Sequence, residues 1–187
     1  MNSKKGYRVL FHLMNSLFWF LLATSVIGAM ITTYILFDSS ILKEISGIHF
    51  AISEGVLGIN LDNYTPDVQL LQFTMVCAII VMFFVTMMFW NFRVLFENAS
   101  KGFIFVDSST KSIFSIGIIL LIQSFASSLP KVYIAAKMTP FVHITNGSFK
   151  VSYSINELLF ITAIFILFLG VFFKQAVAIA QENELTV

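Results

Sequence analysis

Charge is what this chain has least of. Of its 187 residues 11% are Asp, Glu, Lys or Arg, whereas 58% are hydrophobic and 22 are Phe. An ordinary soluble domain carries about 25% charged residues and buries only about two thirds of the surface its unfolded chain exposes. A single soluble domain of this length cannot hide so much apolar surface, so the composition excludes an ordinary soluble enzyme and points to an integral membrane protein. Cysteine is nearly missing as well. Cys77 is the only one and lies inside a long apolar run, which rules out an intrachain disulfide and a thiolate metal cluster built from one chain; it reads as a small buried hydrophobe. The formal charge is +1, with no basic block and no aromatic and basic interleaving, so nucleic acid is not expected as a direct ligand.

What is present falls into four stretches free of Asp, Glu, Lys and Arg: Val9 to Phe37, Val68 to Phe92, Ser112 to Pro130 and Leu158 to Phe173. At about 1.5 Å rise per residue the first three can cross a hydrocarbon core about 30 Å thick. The fourth reaches across when Glu157 and Lys174 place their charges at opposite interfaces. The expectation is an all-α membrane protein. It is a four-helix transmembrane bundle with spans of about 9–37, 68–92, 112–136 and 157–174, an inner loop 93–111 and a tail 175–187. After Lys4, Lys5 and Arg8 the first stretch runs well past signal-peptide length without a small-residue cleavage site, so it is expected to stay as an anchor.

Four crossings put both termini on one side. That side holds Lys4, Lys5, Arg8, Arg93, Lys101, Lys111 and Lys174; the other holds Lys43, Lys131, Lys137 and Lys150 among several carboxylates. The bias predicts both termini in the cytoplasm. Tyr7 and Trp90 near the inner boundary, and Tyr34 and Tyr133 near the outer one, suit the interfacial belt. Trp19 lies inside the first span and reads as packing or lipid-facing bulk. Met75, Met82, Met87 and Met88 lie among Phe83, Phe84 and Phe89 and read as packing rather than a thioether copper path.

Two outer loops, 38–67 and 137–156, are too long for simple turns. In the first, Ile48, Phe50 and Ile52 alternate with polar or small residues; in the second, Phe149, Val151, Tyr153 and Ile155 do the same. Period two predicts strands, and the expectation is that the two loops pair into a small extracytoplasmic β cap. Asn63, Asn98 and Asn146 open Asn-x-Ser/Thr patterns, which are too short to establish modification.

Chemistry inside the spans is sparse. His12, His49 and His143 are scattered, and only the last two could meet, with Glu44, Glu54 or Asp62 nearby, so no metal site, cofactor or catalytic residue is assigned. None of the four charge-free stretches contains a carboxylate or a basic side chain apart from His12 near the entrance of the first, which disfavours charge-coupled transport. The deep polar residues are neutral: Thr24 and Ser25 in the first span, Thr86 in the second, Gln123, Ser124, Ser127 and Ser128 in the third, and Thr162 in the fourth. Gln123 is the costliest of these to face lipid. With the serines it forms a stripe suited to helix packing or to a small cavity for an apolar or neutral molecule; Thr24 and Ser25 are further candidates for it. Pro130 is expected to bend or end the third helix.

In the inner loop, Arg93 and Glu97 are four apart and are expected to pair, Gly102 to release the chain, and Asp107 or Ser108 to cap the third helix. Past Lys174 the helix can continue with an apolar side and a wet side bearing Glu182 and Glu184, which suits packing on the inner loop or a cytosolic partner. The segments KGFIFVDSSTKSIFSIGIILL and FFKQAVAIAQENELTV resemble a bacterial membrane family, the domain of unknown function 2975. Its members commonly carry a Gly-x-Pro-Phe-like turn, replaced here by Gly102, Phe103, Ile104 and Phe105, and a tail matched by Glu182 to Val187. The resemblance implies four membrane helices, a bacterial inner or plasma membrane and a neighbouring helix-turn-helix regulator, but no activity to carry over.

The resulting expectation is a small non-enzymatic membrane protein, sensory, regulatory or immunity-type, working through protein or lipid contacts. The expected partners are membrane lipids, a cytosolic regulatory protein and further copies of itself. The alternative is an oligomeric channel or carrier for a neutral or apolar small molecule.

Overall fold

The computed structural model describes residues 3–38, 40, 50–54, 57–61, 67–141 and 150–185. The elements run α1 (Ser3–Phe37), β1 (Phe50–Glu54), β2 (Leu57–Leu61), α2 (Val68–Lys101), α3 (Asp107–Ala126), α4 (Leu129–Met138), a 3-10 turn (Thr139–Phe141) and α5 (Glu157–Leu185). Four stretches are long and apolar enough to cross a membrane: Lys5–Phe37, Val68–Lys101, Asp107–Lys137 across the α3–α4 break, and Glu157–Glu182. This is the architecture of a multi-pass membrane protein.

The ends of these helices are written in the local sequence. Asp67 starts α2 by accepting the Gln69 N–H on its carboxylate. Gly102 ends it at φ 92°, donating to the Ala99 carbonyl while the Phe103 N–H donates to Asn98, a double closure that a left-handed residue permits. The expected cap of the third helix differs. Val106 occupies the N-cap with no side-chain bond, and Asp107 is instead the first helical residue, where its charge faces the positive end of the helix dipole. Ser108 is turned to another use, accepting from Asn98 across the loop.

Pro130 divides the third span as expected. Its ring nitrogen has no proton to give the Ala126 carbonyl, and the helix breaks at Ser127 and Ser128 before α4 resumes with Pro130 in its first turn. Carbonyls near the break are taken up from outside: the Asn156 N–H donates to Ser124 O at 3.0 Å and the Tyr153 hydroxyl to Phe125 O at 2.6 Å. Asn156 also accepts the Leu159 N–H on its side chain, so one residue both ties α3 and starts α5. Tyr153→Phe is expected to cost about 0.5–1.5 kcal/mol and to expose the 150–156 segment to limited proteolysis, read as faster cleavage there in detergent.

Among the described residues the two outer loops do not pair into a cap. The strand expected around Phe50 and Ile52 exists, but it pairs antiparallel with β2 of the same loop, Phe50 opposite Leu61 and Ile52 opposite Ile59. Residues 150–156 contain no strand; Phe149 lies outside the described residues. The short separation within the first loop favours a local hairpin, and in the described part of the second loop the Tyr153 hydroxyl and the Asn156 backbone are engaged on the end of α3 instead.

Nor do the helices close into a ring. α1 lies along α2, α2 also meets α3, and α3 packs on α5, whereas α1 has no comparable packing on α3 or α5. α3 is the central element. Ile116 and Leu120, with Ala163 of α5, form its core, and Met88, Phe92 and Leu95 of α2 close over them. The α3–α5 approach is very close: a Cβ on Gly117 would stand 2.7 Å from the Leu167 side chain and 3.2 Å from the Leu167 backbone nitrogen. Gly28 has the same role between α1 and α2, where Ile79 would be met at 2.8 Å.

Candidate functional site

Two regions carry the polar residues singled out in the sequence. The first is the buried side of α3. Gln123 is 7% exposed, Ser124 fully buried and Ser128 6% exposed, with Ser127 alongside. Ser124 gives its proton to the Leu121 carbonyl at 2.7 Å. Gln123 Nε2 and Ser127 Oγ, one helical turn apart, are buried with no hydrogen-bond partner among the described residues.

Thr24 and Ser25 do not join this group. Both are on α1, which packs on α2. Thr24 satisfies itself on the Phe20 and Leu21 carbonyls of its own helix. Ser25 meets Thr86 of α2 at 3.1 Å. Thr86 donates its one proton to Met82 O at 2.8 Å, so Ser25 is the donor between them. Thr162 donates to the Leu158 carbonyl. These hydroxyls therefore serve packing and self-satisfaction inside an apolar setting, as buried polar groups must.

The second region is the end of the helices holding Lys101, Lys111 and Lys174. The expected Arg93–Glu97 pair is absent: Glu97 binds Lys101 instead, Nζ to Oε1 at 2.7 Å. A carboxylate four residues ahead of a cation is the better order along a helix, because it agrees with the dipole, and Arg93 ahead of Glu97 is the poorer one. Asn98 donates to Ser108 Oγ at 2.8 Å and Ser109 Oγ at 3.1 Å, which braces the turn at Gly102 against the start of α3. Beyond that brace Phe103, Ile104 and Phe105 are exposed, Phe103 by 63%. Phe105 leans on Phe173 of α5 at 5.4 Å between ring centroids. Glu182 is exposed on α5 and Glu184 falls in the last turn of that helix.

Arg93 turns toward α1. Its guanidinium lies 4.9 Å from the Trp90 ring and 5.9 Å from the Phe18 ring, and its Nε is buried with no partner among the described residues. Phe18 and Trp90 are themselves in contact at 5.1 Å. On the other flank of α2, Phe92 and Leu95 line an apolar groove of about 370 Å³ with Ile113 and Ile116 of α3 and Ile166, Leu169, Phe172, Phe173 and Ala176 of α5.

Other sequence candidates resolve simply or lie outside the described residues. His12 packs by Phe11 on α1 and Cys77 is half-buried in α2. His49, His143, Glu44, Asp62, Asn63 and Asn146 fall outside them. No grouping of three or more metal-ligating side chains occurs among the described residues. Sequence reasoning passed over Gly117 and Gly28, for which the only signal was a glycine inside an apolar helix, and over the Asn98 brace, hidden in a pattern read for glycosylation.

No curated protein and no solved structure matches the chain. A family model described as "Protein of unknown function (DUF2975)" matches residues 9–187, nearly the whole length and both segments that carry the resemblance. The chain belongs to that family.

Proposed function

We propose that this is a non-enzymatic membrane protein of the bacterial inner or plasma membrane, with both termini cytoplasmic, that works as a sensory, regulatory or immunity-type component through contacts at its basic end. The observation that carries this reading is the braced apolar turn. Phe103, Ile104 and Phe105 are held out by the Gly102 closure and the Asn98 bonds to Ser108 and Ser109, so an exposed apolar surface is kept in one shape beside Phe173 of α5. Ordered apolar surface at a helix end suits docking of a cytosolic protein or of other copies of the chain. Charge reversal of both Glu182 and Glu184 is expected to weaken recovery of a cytosolic partner in pull-down while membrane abundance stays constant. Unchanged recovery would remove these carboxylates from the contact.

A second reading, an oligomeric carrier or channel for a neutral small molecule, draws on Gln123 Nε2 and Ser127 Oγ, two buried polar atoms at the end of α3 with no partner among the described residues. It predicts flux in liposomes that Gln123→Leu diminishes. The tight Gly117–Leu167 contact in the same helix pair weighs for a packed interior and makes this the weaker reading.

A further inference from the structure

We propose that Arg93 holds the phosphate of an anionic phospholipid in the leaflet at the basic end, with Phe18 and Trp90 walling the site. The inference rests on the reading that α2 crosses a bilayer, and it narrows "protein or lipid contact" to one chemistry at one residue.

Depth comes first. Phe92 and Leu95 flank Arg93 in sequence and share a groove with Ile113, Phe172 and Phe173, the neighbours of Lys111 and Lys174. Arg93 therefore stands at the level where α3 and α5 also meet their first cation, the level of lipid headgroups.

Compensation comes second. No carboxylate lies within ion-pair distance of Arg93 among the described residues, since Glu97, the nearest in sequence, is held by Lys101. Its Nε is buried with no hydrogen-bond partner there either, and the guanidinium lies over the faces of Phe18 and Trp90. A permanently charged group beside hydrocarbon needs a counterion, and a fork of N–H donors matches phosphate oxygens. A carboxylate from a second copy could also answer the charge. The lipid phosphate is favoured because, on the reading that α2 crosses a bilayer, it is already present at this depth, and because Trp90 beside the guanidinium is itself exposed.

The chain has 2 Trp, so Trp19→Phe leaves Trp90 as the sole tryptophan reporter, 4.9 Å from the guanidinium. This variant, reconstituted in vesicles, is titrated with phosphatidylglycerol or phosphatidylcholine brominated on the acyl chains. Phosphatidylglycerol is expected to quench Trp90 with about five-fold preference, the size a single basic residue near a membrane surface supplies. The preference should survive excess inorganic phosphate, disappear with Arg93→Gln and persist with Lys111→Gln, which removes an exposed cation at the same end without releasing Glu97. Equal quenching by the two lipids with Arg93 intact overturns the proposal while leaving the membrane reading in place. Quenching by neither overturns both. Loss of the preference in inorganic phosphate would assign the site to a free anion and overturn the lipid assignment. The Arg93-intact arms decide the question even where Arg93→Gln fails to fold.

Discussion

Gly117→Leu is expected to be the most damaging single change in the described chain, lowering stability by about 3 kcal/mol, the upper end for overpacking a closed interface. A Cβ alone would meet the Leu167 side chain at 2.7 Å, closer than non-bonded carbon atoms tolerate, with the Leu167 backbone nitrogen behind it at 3.2 Å. A flexible side chain can swing away; a backbone nitrogen cannot unless α5 itself moves. The effect should appear as a lower thermal midpoint in detergent and as faster proteolysis. Gly117→Ala sets two terms against each other, a gain of about 1 kcal/mol in helix propensity and the loss of close approach, and Leu167→Ala in the same background should restore part of the loss. That coupling is measurable as a double-mutant cycle. Gly6, whose Cβ would meet nothing within 4 Å, is the control. Gly6→Ala should be neutral or slightly stabilising.

Gln123→Leu should act in the opposite direction. The amide nitrogen of Gln123 is buried in α3 with no partner among the described residues, and an unmade hydrogen bond in an apolar interior costs about 1–3 kcal/mol. Leucine has a similar length and no polar atom, so replacement is expected to raise the unfolding midpoint by an amount of that order. A fall in midpoint would mean that the amide is satisfied in the assembled protein, by a bound polar molecule or another copy, and would strengthen the carrier reading. Ser124→Ala gives the contrast. Its hydroxyl already has the Leu121 carbonyl at 2.7 Å, so its removal should change little in either direction.

Much of the architecture was legible because its physics is one-dimensional. A run such as Val68 to Phe92 announces a span by having no charge, and Gly102 and Pro130 announce helix breaks by what their backbones can and cannot do. Partner choice is not one-dimensional. Period two marked the Phe50 region as a strand, but nothing in that period told whether Leu57–Leu61 or the second loop would pair with it. Thr24, Ser25 and Gln123 all read as deep and polar, yet their depth does not reveal that the first two face α2 or their own helix while the third lies in the α3 interior. Glu97 had a cation four residues away on each side, and only the dipole argument separates them. The turn was visible as Gly102 releasing the chain, whereas the exposure of Phe103 and the cross-loop bonds from Asn98 required three dimensions.

The open arrangement of helices also has a consequence for how the chain is made. α1 and α2 are consecutive long helices and complete their mutual contacts as soon as both have left the ribosome. α3 cannot do the same, because the helix that fits against Gly117 is α5, which is synthesised only after α4 and the 150–156 segment. Until α5 arrives, its side of α3 has no intramolecular cover, and the Asn156 and Tyr153 bonds to the end of α3 are likewise unmade. The interval between the synthesis of α3 and that of α5 is therefore the stage at which the chain is most open to insertion factors and to quality-control proteases, and truncations that remove α5 should be cleared faster than those that stop after α2.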